Sequence, residues 1–188
     1  MMKDKAFDRL LGERLQALRE AQKLSLGELA SRSGVSKAMI ARVERAESSA
    51  TAALLGRLCA GLGVTLSSVI AQADRPAERL SRHSDQPVWR DPGTGYLRRQ
   101  VSPAGAASGF EIVWVELPAG AQVPYRAWFA NVYTQQLLML KGALHLRIGE
   151  DETILRQGDC VDFDVSRPVE FANKGRTVAN YVIVLRKS

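Results

Sequence analysis

One stretch, from Ser25 to Arg45, constrains the fold more than any other, because it contains the signals of two short helices joined by a tight turn. Ser25 and Glu28 have the spacing of a capping box, in which a hydroxyl and a carboxylate satisfy the first N–H groups of a helix. Gly34 suits the left-handed position that ends that helix, and Ser36 suits the cap of the next one. These signals predict two helices that cross closely at the turn.

Helical periodicity on both sides of this stretch predicts five short helices within roughly the first seventy residues. Thr51 caps the fourth helix, and either Thr65 or Ser67 begins the fifth. Either Met39 or Ile40 faces inward in the third. The other predicted core positions are Phe7, Leu11, Leu15, Leu18, Leu26, Leu29, Ala30, Val35, Val43, Leu54, Leu55, Leu58, Leu62, Leu66, Val69 and Ile70, whereas Arg9, Arg14 and Arg19 are expected outside.

The outward positions of the third helix are small or basic, which suits insertion into the major groove of DNA. Lys37 and Arg42 can donate to guanine or to phosphate, Arg45 is better placed for phosphate, and the helix N-termini offer backbone N–H groups to phosphate. The candidate interface is Ser25, Ser36, Lys37, Ala38, Ala41, Arg42 and Arg45. A solvated polar face is the alternative. The net charge of +6 favours DNA binding, because residues 1–82 contain 14 Lys+Arg and 9 Asp+Glu.

Residues 10–71 resemble the Cro/C1-type (XRE) helix-turn-helix family through GERLQALRE, LSLGELASRSGVSKAMIARVERAESS and LCAGLGVTLSSVI. The sequence departs from the family pattern at Ala46, where glycine is usual, and at Ala50, where many members carry proline. The resemblance implies binding to a double-stranded DNA operator, usually by a dimer. Half-sites are then expected about one helical turn apart.

From Phe110 onward the sequence pattern changes and predicts short strands separated by glycine and proline turns, which is typical of a sandwich or barrel. Earlier strands are predicted at 88–90 and 96–101. QQLLMLKG and ALHLRIG are predicted to form a tight hairpin around Lys141-Gly142. The expected organisation is an all-α helix-turn-helix domain (1–73), a linker (74–86) and an all-β domain (87–188).

The segments LLMLKGALHLRIG, QGD and RPVEFAN resemble the cupin family, a small jelly-roll barrel. In that family two histidines and a glutamate from one motif, with a histidine from a second, bind a divalent metal. Here the glutamate position falls on Gln135 and the later histidine on Val169. The first two histidine positions fall near Arg126 and Trp128, or on Phe129 and Asn131 in another register.

None of these side chains is an ordinary metal ligand. The sequence has two histidines, of which His83 lies in the linker and His145 on a strand, where a packing or surface role is expected. The sequence therefore predicts a metal-free cupin with no cofactor and no catalytic residue.

A barrel of this size can still hold one small molecule. The candidate lining residues, each of which could instead be an ordinary core or surface residue, are Tyr125, Arg126, Trp128, Tyr133, Gln135 and Cys160. Arg126 can pair bidentately with a carboxylate, so an amino acid or another carboxylate is the favoured effector. Cys160 is expected to be a buried strand thiol.

These patterns predict a cytoplasmic, homodimeric transcription regulator that is not an enzyme and that a small-molecule effector controls. Two distant cysteines favour a reducing compartment, and no apolar run long enough to span a membrane occurs. One alternative is a helix-turn-helix cupin enzyme of the metal-dependent oxidase or epoxidase type, which the missing ligands disfavour. Another is a repressor whose barrel only dimerises.

Overall fold

The structure, a computed structural model, describes residues 2–70, 79–103, 108–127 and 133–186, with side chains from residue 6 onward. Residues 1–69 and 70–188 form two compact units, here named the helical unit and the β unit. No helix in the described part of the chain is long and apolar enough to cross a membrane.

The helical unit consists of α1 (Met2–Ala21), α2 (Leu26–Ser33), α3 (Lys37–Glu44), α4 (Ala52–Leu62) and α5 (Leu66–Ile70). Hydroxyl caps begin α2 to α5, because the side-chain oxygens of Ser25, Ser36, Thr51 and Thr65 each accept a hydrogen bond from the N–H three residues later. Gly34 and Gly63 end α2 and α4 in the left-handed conformation at φ 65°. The predicted helix boundaries are thereby confirmed, with Thr65 rather than Ser67 as the last cap.

The core of the helical unit is apolar and largely as the periodicity predicts. Ile40 is buried and Met39 is half-buried, which settles the choice between them. The buried apolar positions that were predicted are Leu11, Leu15, Leu29, Val35, Val43, Leu54, Leu55, Leu58, Leu62, Leu66, Val69 and Ile70. Burial of each such large side chain contributes about 1.5–3 kcal/mol to folding.

The prediction that Arg19 lies outside is wrong. Its Nε donates to Glu44 Oε1 at 2.7 Å, its Nη2 donates to Glu44 Oε2 at 2.9 Å, and its Nη1 donates to the carbonyl of Leu24 at 2.9 Å. Both charged side chains are almost fully buried. This bidentate pair ties the end of α1 to the end of α3, and loss of either partner would leave an uncompensated charge in the core.

Helices α1 and α3 can approach this closely because residue 12 is glycine. A Cβ atom there would lie 2.5 Å from the carbonyl oxygen of Val43 and 2.7 Å from that of Glu44. Both contacts are with backbone, which cannot rotate away. Gly12 therefore fixes the distance between the two helices.

Within its described residues, the β unit contains a 3-10 turn (His83–Asp85) and ten strands. They are β1 (Val88–Arg90), β2 (Leu97–Gln100), β3 (Phe110–Leu117), β4 (Gln122–Tyr125), β5 (Thr134–Lys141), β6 (Ala143–Ile148), β7 (Asp151–Arg156), β8 (Cys160–Asp164), β9 (Val169–Ala172) and β10 (Ala179–Arg186). All recorded pairings are antiparallel.

The strands form a six-stranded sheet in the order β1-β2-β3-β10-β5-β8 and a four-stranded sheet in the order β4-β9-β6-β7. Each sheet receives four of the last eight strands, and successive strands change sheet except β6 and β7, which pair within the smaller sheet. This is the strand order of a jelly roll, the architecture of cupins. Strands β1 and β2 extend the larger sheet at the β3 edge.

The predicted hairpin around Lys141-Gly142 is wrong. Strand β5 pairs with β10 and β8, whereas β6 pairs with β7 and β9 in the other sheet. The turn therefore carries the chain from one sheet to the other. Gly142 has φ 83°, and a Cβ there would lie 3.3 Å from the Val178 carbonyl oxygen and the Ala179 Cα. A glycine turn between alternating strands predicts a sharp connection but does not reveal which sheet receives the next strand.

Candidate functional site

Reciprocal hydrogen bonds hold the start of α2, and a left-handed glycine ends it before α3. Ser25 Oγ accepts from the Glu28 N–H at 3.2 Å, and Glu28 Oε2 accepts from the Ser25 N–H at 2.7 Å. The Gly34 N–H donates to the Ala30 carbonyl at 2.9 Å, after which buried Val35 anchors the turn. The hydrogen bond from Ser25 holds the pKa of the Glu28 carboxyl below its ordinary value. The start of α2 and its end at Gly34 are therefore defined by hydrogen bonds within the helical unit.

Helix α3 presents the predicted set of side chains to solvent. Ser36, Lys37, Ala38 and Arg42 are exposed, Ala41 is half-buried, and Ile40 and Val43 on the opposite face are buried. Small residues at the start of the helix allow close approach, and two cations flank them. This face has the shape and charge that a major groove requires.

Arg45, which is predicted to contact phosphate, is exposed but forms an ion pair with Glu47. Its Nε donates to Glu47 Oε1 at 2.7 Å and its Nη2 donates to Glu47 Oε2 at 2.9 Å. These bonds hold the pKa of Glu47 below its ordinary value and raise that of Arg45. An exposed pair of this kind contributes little to stability, so a phosphate can compete for the guanidinium.

Sequence reasoning missed a further cation near the turn. Arg57, on α4, is half-buried, and its Nη1 donates to the Gly34 carbonyl at 3.4 Å. The Lys37 side chain extends over α2, since a Cβ on Gly27 would lie 2.8 Å from Lys37 Cε. The helical periodicity of α4 could have placed Arg57 opposite the buried leucines, but the contact with the turn depends on the packing of α4 against α2.

In the β unit, the candidate pocket residues separate into interior and exterior groups. Gln135 is buried, whereas Tyr125 and Tyr133 are half-buried. The Tyr125 ring contacts Phe171 edge-on at 5.9 Å. Arg126 is exposed, and Trp128 lies outside the described residues.

The expectation that Cys160 is a buried thiol is wrong. Cys160 is exposed, and its register partner Leu138 is also on the outer face of the larger sheet. Phe163 is buried and sits three positions later, so the strand alternation directs Cys160 outward. Cys160 therefore does not line the interior between the sheets.

The structure instead places a buried arginine between the sheets that sequence reasoning missed. Arg98, on β2, is 6% exposed, and its Nη1 donates to the Tyr96 hydroxyl at 3.0 Å. Adjacent arginines in LRRQ are usually solvent-facing, and Leu97 would be the natural inward residue. The register pairs Leu97 with Glu116 and Arg98 with Val115. Because Val115 is fully buried, Arg98 lies on the inward face of β2.

Tyrosines surround this guanidinium. Tyr96, Tyr125 and Tyr133 interact electrostatically with Arg98, which interacts in turn with Tyr181. Burial raises the pKa of Tyr125 and of Tyr181 well above the ordinary value, so both phenols keep their protons. Burial lowers the pKa of Arg98, but the neighbouring tyrosine oxygens raise it by more, so the guanidinium keeps its charge.

Two of the four positions that the cupin resemblance predicts for metal ligands are buried in the β unit. Gln135 and Val169 are buried on strands of opposite sheets. His145 is half-buried and contacts Glu152 Oε1 through Nδ1 at 3.0 Å. Within the described ranges no three His, Cys, Asp or Glu side chains are grouped to hold a metal ion.

Comparison with known proteins supports this architecture. Residues 15–69 match the helix-turn-helix family HTH_3. The HTH-type transcriptional regulator SutR of Escherichia coli (strain K12) is 44% identical over 63 residues, which cover 34% of this chain and 35% of SutR. The chain thus spans about a third of the length of this curated relative.

Among solved structures, an HTH_3 family transcriptional regulator from Vibrio cholerae is similar with a TM-score of 0.79 at 24% identity, covering 98% of this chain and 99% of that chain. The cupin_2 domain of an XRE family transcriptional regulator from Enterobacter cloacae matches at a TM-score of 0.46 and 16% identity, covering 50% of this chain and 97% of that chain. The first likeness shows that the two-unit fold occurs in a solved protein. Residues 15–69 are therefore similar to the helix-turn-helix family HTH_3, and in this chain they are joined to a β unit with the strand order of a jelly roll.

Proposed function

We propose that the chain is a transcription regulator that binds double-stranded DNA through α3 and senses a small molecule in the β unit. The observation that carries this proposal is the exposed face of α3, where small residues lie between Lys37 and Arg42 on a domain that matches HTH_3. Lys37 and Arg42 would contact base edges or phosphates. Arg45 and the N-termini of α2 and α3 would contact the sugar-phosphate backbone.

The proposal includes a homodimer in the cytoplasm. Two copies are needed to read two half-sites of a partly symmetric operator. The outer face of the larger sheet supports pairing, because Trp114, Val182 and Leu138 lie in one cross-strand row and Ile112 and Val184 in the next. Ile112 is 37% exposed and Leu138 is 41% exposed. Leu138→Glu should therefore lower the mass measured by light scattering from dimer to monomer, whereas Gln122→Glu, exposed on β4 of the smaller sheet, should not.

The β unit is proposed to regulate DNA binding rather than to catalyse a reaction. A ligand would act by binding one arrangement of the dimer more tightly than the other. Gln135 and Val169, which lie at two of the predicted cupin ligand positions, do not fit a divalent metal, and this disfavours a metal-dependent reaction. Stoichiometric iron, zinc or nickel in the purified protein would favour the enzyme alternative.

The test of DNA binding begins with duplexes selected from a randomised pool by the full chain. Arg42→Ala should weaken binding to the selected duplex by about 1–3 kcal/mol and relax the preference at one position of each half-site. Arg9→Ala is a matched control, because Arg9 is exposed on α1 and pairs with Glu13 at 2.9 Å. An unchanged preference in Arg42→Ala would argue against base recognition by Arg42, and no selected sequence at all would contradict the regulator proposal.

A further inference from the structure

The outer face of the larger sheet is apolar at its centre. The register aligns Trp114 of β3, Val182 of β10 and Leu138 of β5 in one cross-strand row. Ile112 and Val184 lie two positions further along β3 and β10, on the same face. Ile112 and Leu138 are exposed, although both are large apolar side chains. A contiguous exposed patch of this kind marks an interaction surface.

The two lateral edges of this face carry opposite charges. Arg99 on β2 is the register partner of Trp114, and exposed Asp162 on β8 is the register partner of Gln136 on β5. Arg99 is half-buried and donates to the His83 carbonyl at 3.2 Å, which holds its guanidinium at the β2 edge. Four strand spacings, or about 19 Å, separate β2 from β8. The face is therefore positive on one side of its apolar centre and negative on the other.

A second pair of opposite charges lies nearer the centre. Asn180 of β10 has half-buried Glu116 of β3 as its register partner on one side and, after a shift in register, exposed Lys141 of β5 on the other. Here the acid lies on the β2 side of β10 and the base lies on the β8 side. Both pairs share one property, since each places unlike charges an equal number of strands away from β10 on its two sides.

Two copies of one sheet face that pack with aligned strands can be related by a two-fold axis in either of two directions. An axis across the strands would place β2 on the partner's β2 and β8 on the partner's β8, so Arg99 would meet Arg99 and Asp162 would meet Asp162. An axis along β10 would place β2 on the partner's β8 and β3 on the partner's β5. Arg99 would then face the edge with Asp162, and Glu116 would face Lys141.

We propose that two copies of this chain pair through the outer face of the larger sheet about a two-fold axis that runs along β10. This inference rests on the proposed homodimer and adds its geometry. Val182 lies at the axis, and Trp114 of each copy packs over the partner's Leu138. At both edges Arg99 pairs with the partner's Asp162. Unlike charges favour this encounter, whereas the other axis is disfavoured because it brings like charges together.

The first experiment reverses the charge at each edge in the full chain. Arg99→Asp makes both edges negative and Asp162→Arg makes both positive. Each variant should therefore dimerise at least tenfold more weakly than the original chain, as measured by sedimentation velocity at low ionic strength. A chain that carries both changes has unlike edges again and should recover the original affinity. Arg156→Asp is the control, because Arg156 is exposed on β7 of the smaller sheet, and it should leave dimerisation unchanged.

A mixture of the two single variants tests the same pairing without a double change. Arg99→Asp chains have two negative edges and Asp162→Arg chains have two positive edges, so the proposed axis makes them complementary. An equimolar mixture should form heterodimers at concentrations where each variant alone is monomeric. Circular dichroism spectra of the separate variants verify that both are folded.

The exposed thiol of Cys160 tests the axis independently of charge. The proposed axis places the two Cys160 side chains about 20 Å apart, but it places Cys160 of one copy about 10 Å from position 99 of the other. A bismaleimide with a spacer of about 10 Å should therefore leave the original dimer unlinked and should link Arg99→Cys dimers. The other cysteine, Cys59, is buried and does not compete. Arg99→Cys combined with Cys160→Ser is the control and should not be linked.

The arrangement is overturned if the original chain is a dimer but the double variant does not recover, if the mixed variants do not associate, or if the linker joins the original chains through Cys160. Each of these outcomes leaves the homodimer standing with a different geometry. A monomeric original chain would reject the homodimer together with this arrangement. Binding to the selected duplex, measured in parallel, decides separately whether the regulator proposal stands.

Discussion

Each unit of the chain buries an arginine, and the surroundings of the two differ. Arg19 in the helical unit donates to both oxygens of buried Glu44 and to a carbonyl, so its charge is matched within the fold. Arg98 in the β unit donates to the hydroxyl of Tyr96 and is surrounded by phenols. The first arrangement is suited to holding two helices together. The second places a cation among tyrosine hydroxyls in the core of the β unit.

The largest expected difference comes from replacing each arginine with methionine. Arg19→Met leaves the Glu44 carboxylate buried and alone, which should cost about 3–5 kcal/mol. Arg98→Met replaces a buried cation with an apolar side chain and leaves the Tyr96 hydroxyl without its donor, which should cost about 1–3 kcal/mol. Urea unfolding of both variants measures the two losses.

The two units can be followed separately in that experiment. All three tryptophans, at positions 89, 114 and 128, belong to the β unit, so their fluorescence reports its unfolding. Far-ultraviolet circular dichroism reports the helices. Equal losses in Arg19→Met and Arg98→Met would show that the buried carboxylate left behind by Arg19→Met adds nothing to the cost.

Gly12→Ala tests whether the Arg19–Glu44 pair depends on the close approach of α1 and α3. The added methyl group would meet the Val43 and Glu44 carbonyl oxygens, so the helices must separate, at a cost of about 2 kcal/mol. Helix propensity alone would instead stabilise the chain by about 1 kcal/mol. A lower unfolding midpoint, measured by circular dichroism, would therefore indicate the steric contact with α3, whereas a higher midpoint would indicate the greater helix propensity of alanine.

Ala46→Gly tests strain just after α3. Ala46 has φ 54°, a left-handed conformation that costs a residue with a Cβ about 1–2 kcal/mol. Glycine should raise the stability of the helical unit by about 1 kcal/mol and leave the tryptophan transition unchanged. Ala17→Gly, at an exposed position inside α1, should lower it by a similar amount. A loss of stability in Ala46→Gly would show that the conformation carries no strain.

The smallest effect concerns an exposed carboxylate, in contrast to buried Glu44. The pKa of Glu28 is lowered in the folded chain, so the capping box stabilises α2 above the unfolded pKa and this contribution is lost as the pH falls through the folded pKa. Ser25→Ala should return the pKa of Glu28 towards its ordinary value in a nuclear magnetic resonance titration. Arg32→Ala should raise the pKa of Glu28 by a smaller amount, because the Ser25 hydrogen bonds are the larger cause. Equal shifts in the two variants would show that the charge of Arg32 matters as much as the hydrogen bond.

Local chemistry accounts for what could be predicted in the helical unit. Caps at Ser25, Ser36 and Thr51 and a left-handed glycine at Gly34 act within a few residues, so the sequence predicts where α2, α3 and α4 begin and where α2 ends. The exposed face of α3 follows from the same periodicity. The burial of Arg19 could not be predicted, because Glu44 lies 25 positions away and the two meet only when α1 packs on α3.

In the β unit, the sequence by itself determined that short alternating strands with glycine turns would form, and where most of them lie. Only the tertiary structure decided that β5 and β6 join different sheets, that Cys160 faces out and that Arg98 faces in. The physical reason is the two-residue period of a strand: a shift of one residue in register exchanges its faces, and partners distant in the chain fix that register. The helix-turn-helix was encoded locally, whereas the inward arginine and its four tyrosines exist only after both sheets have assembled.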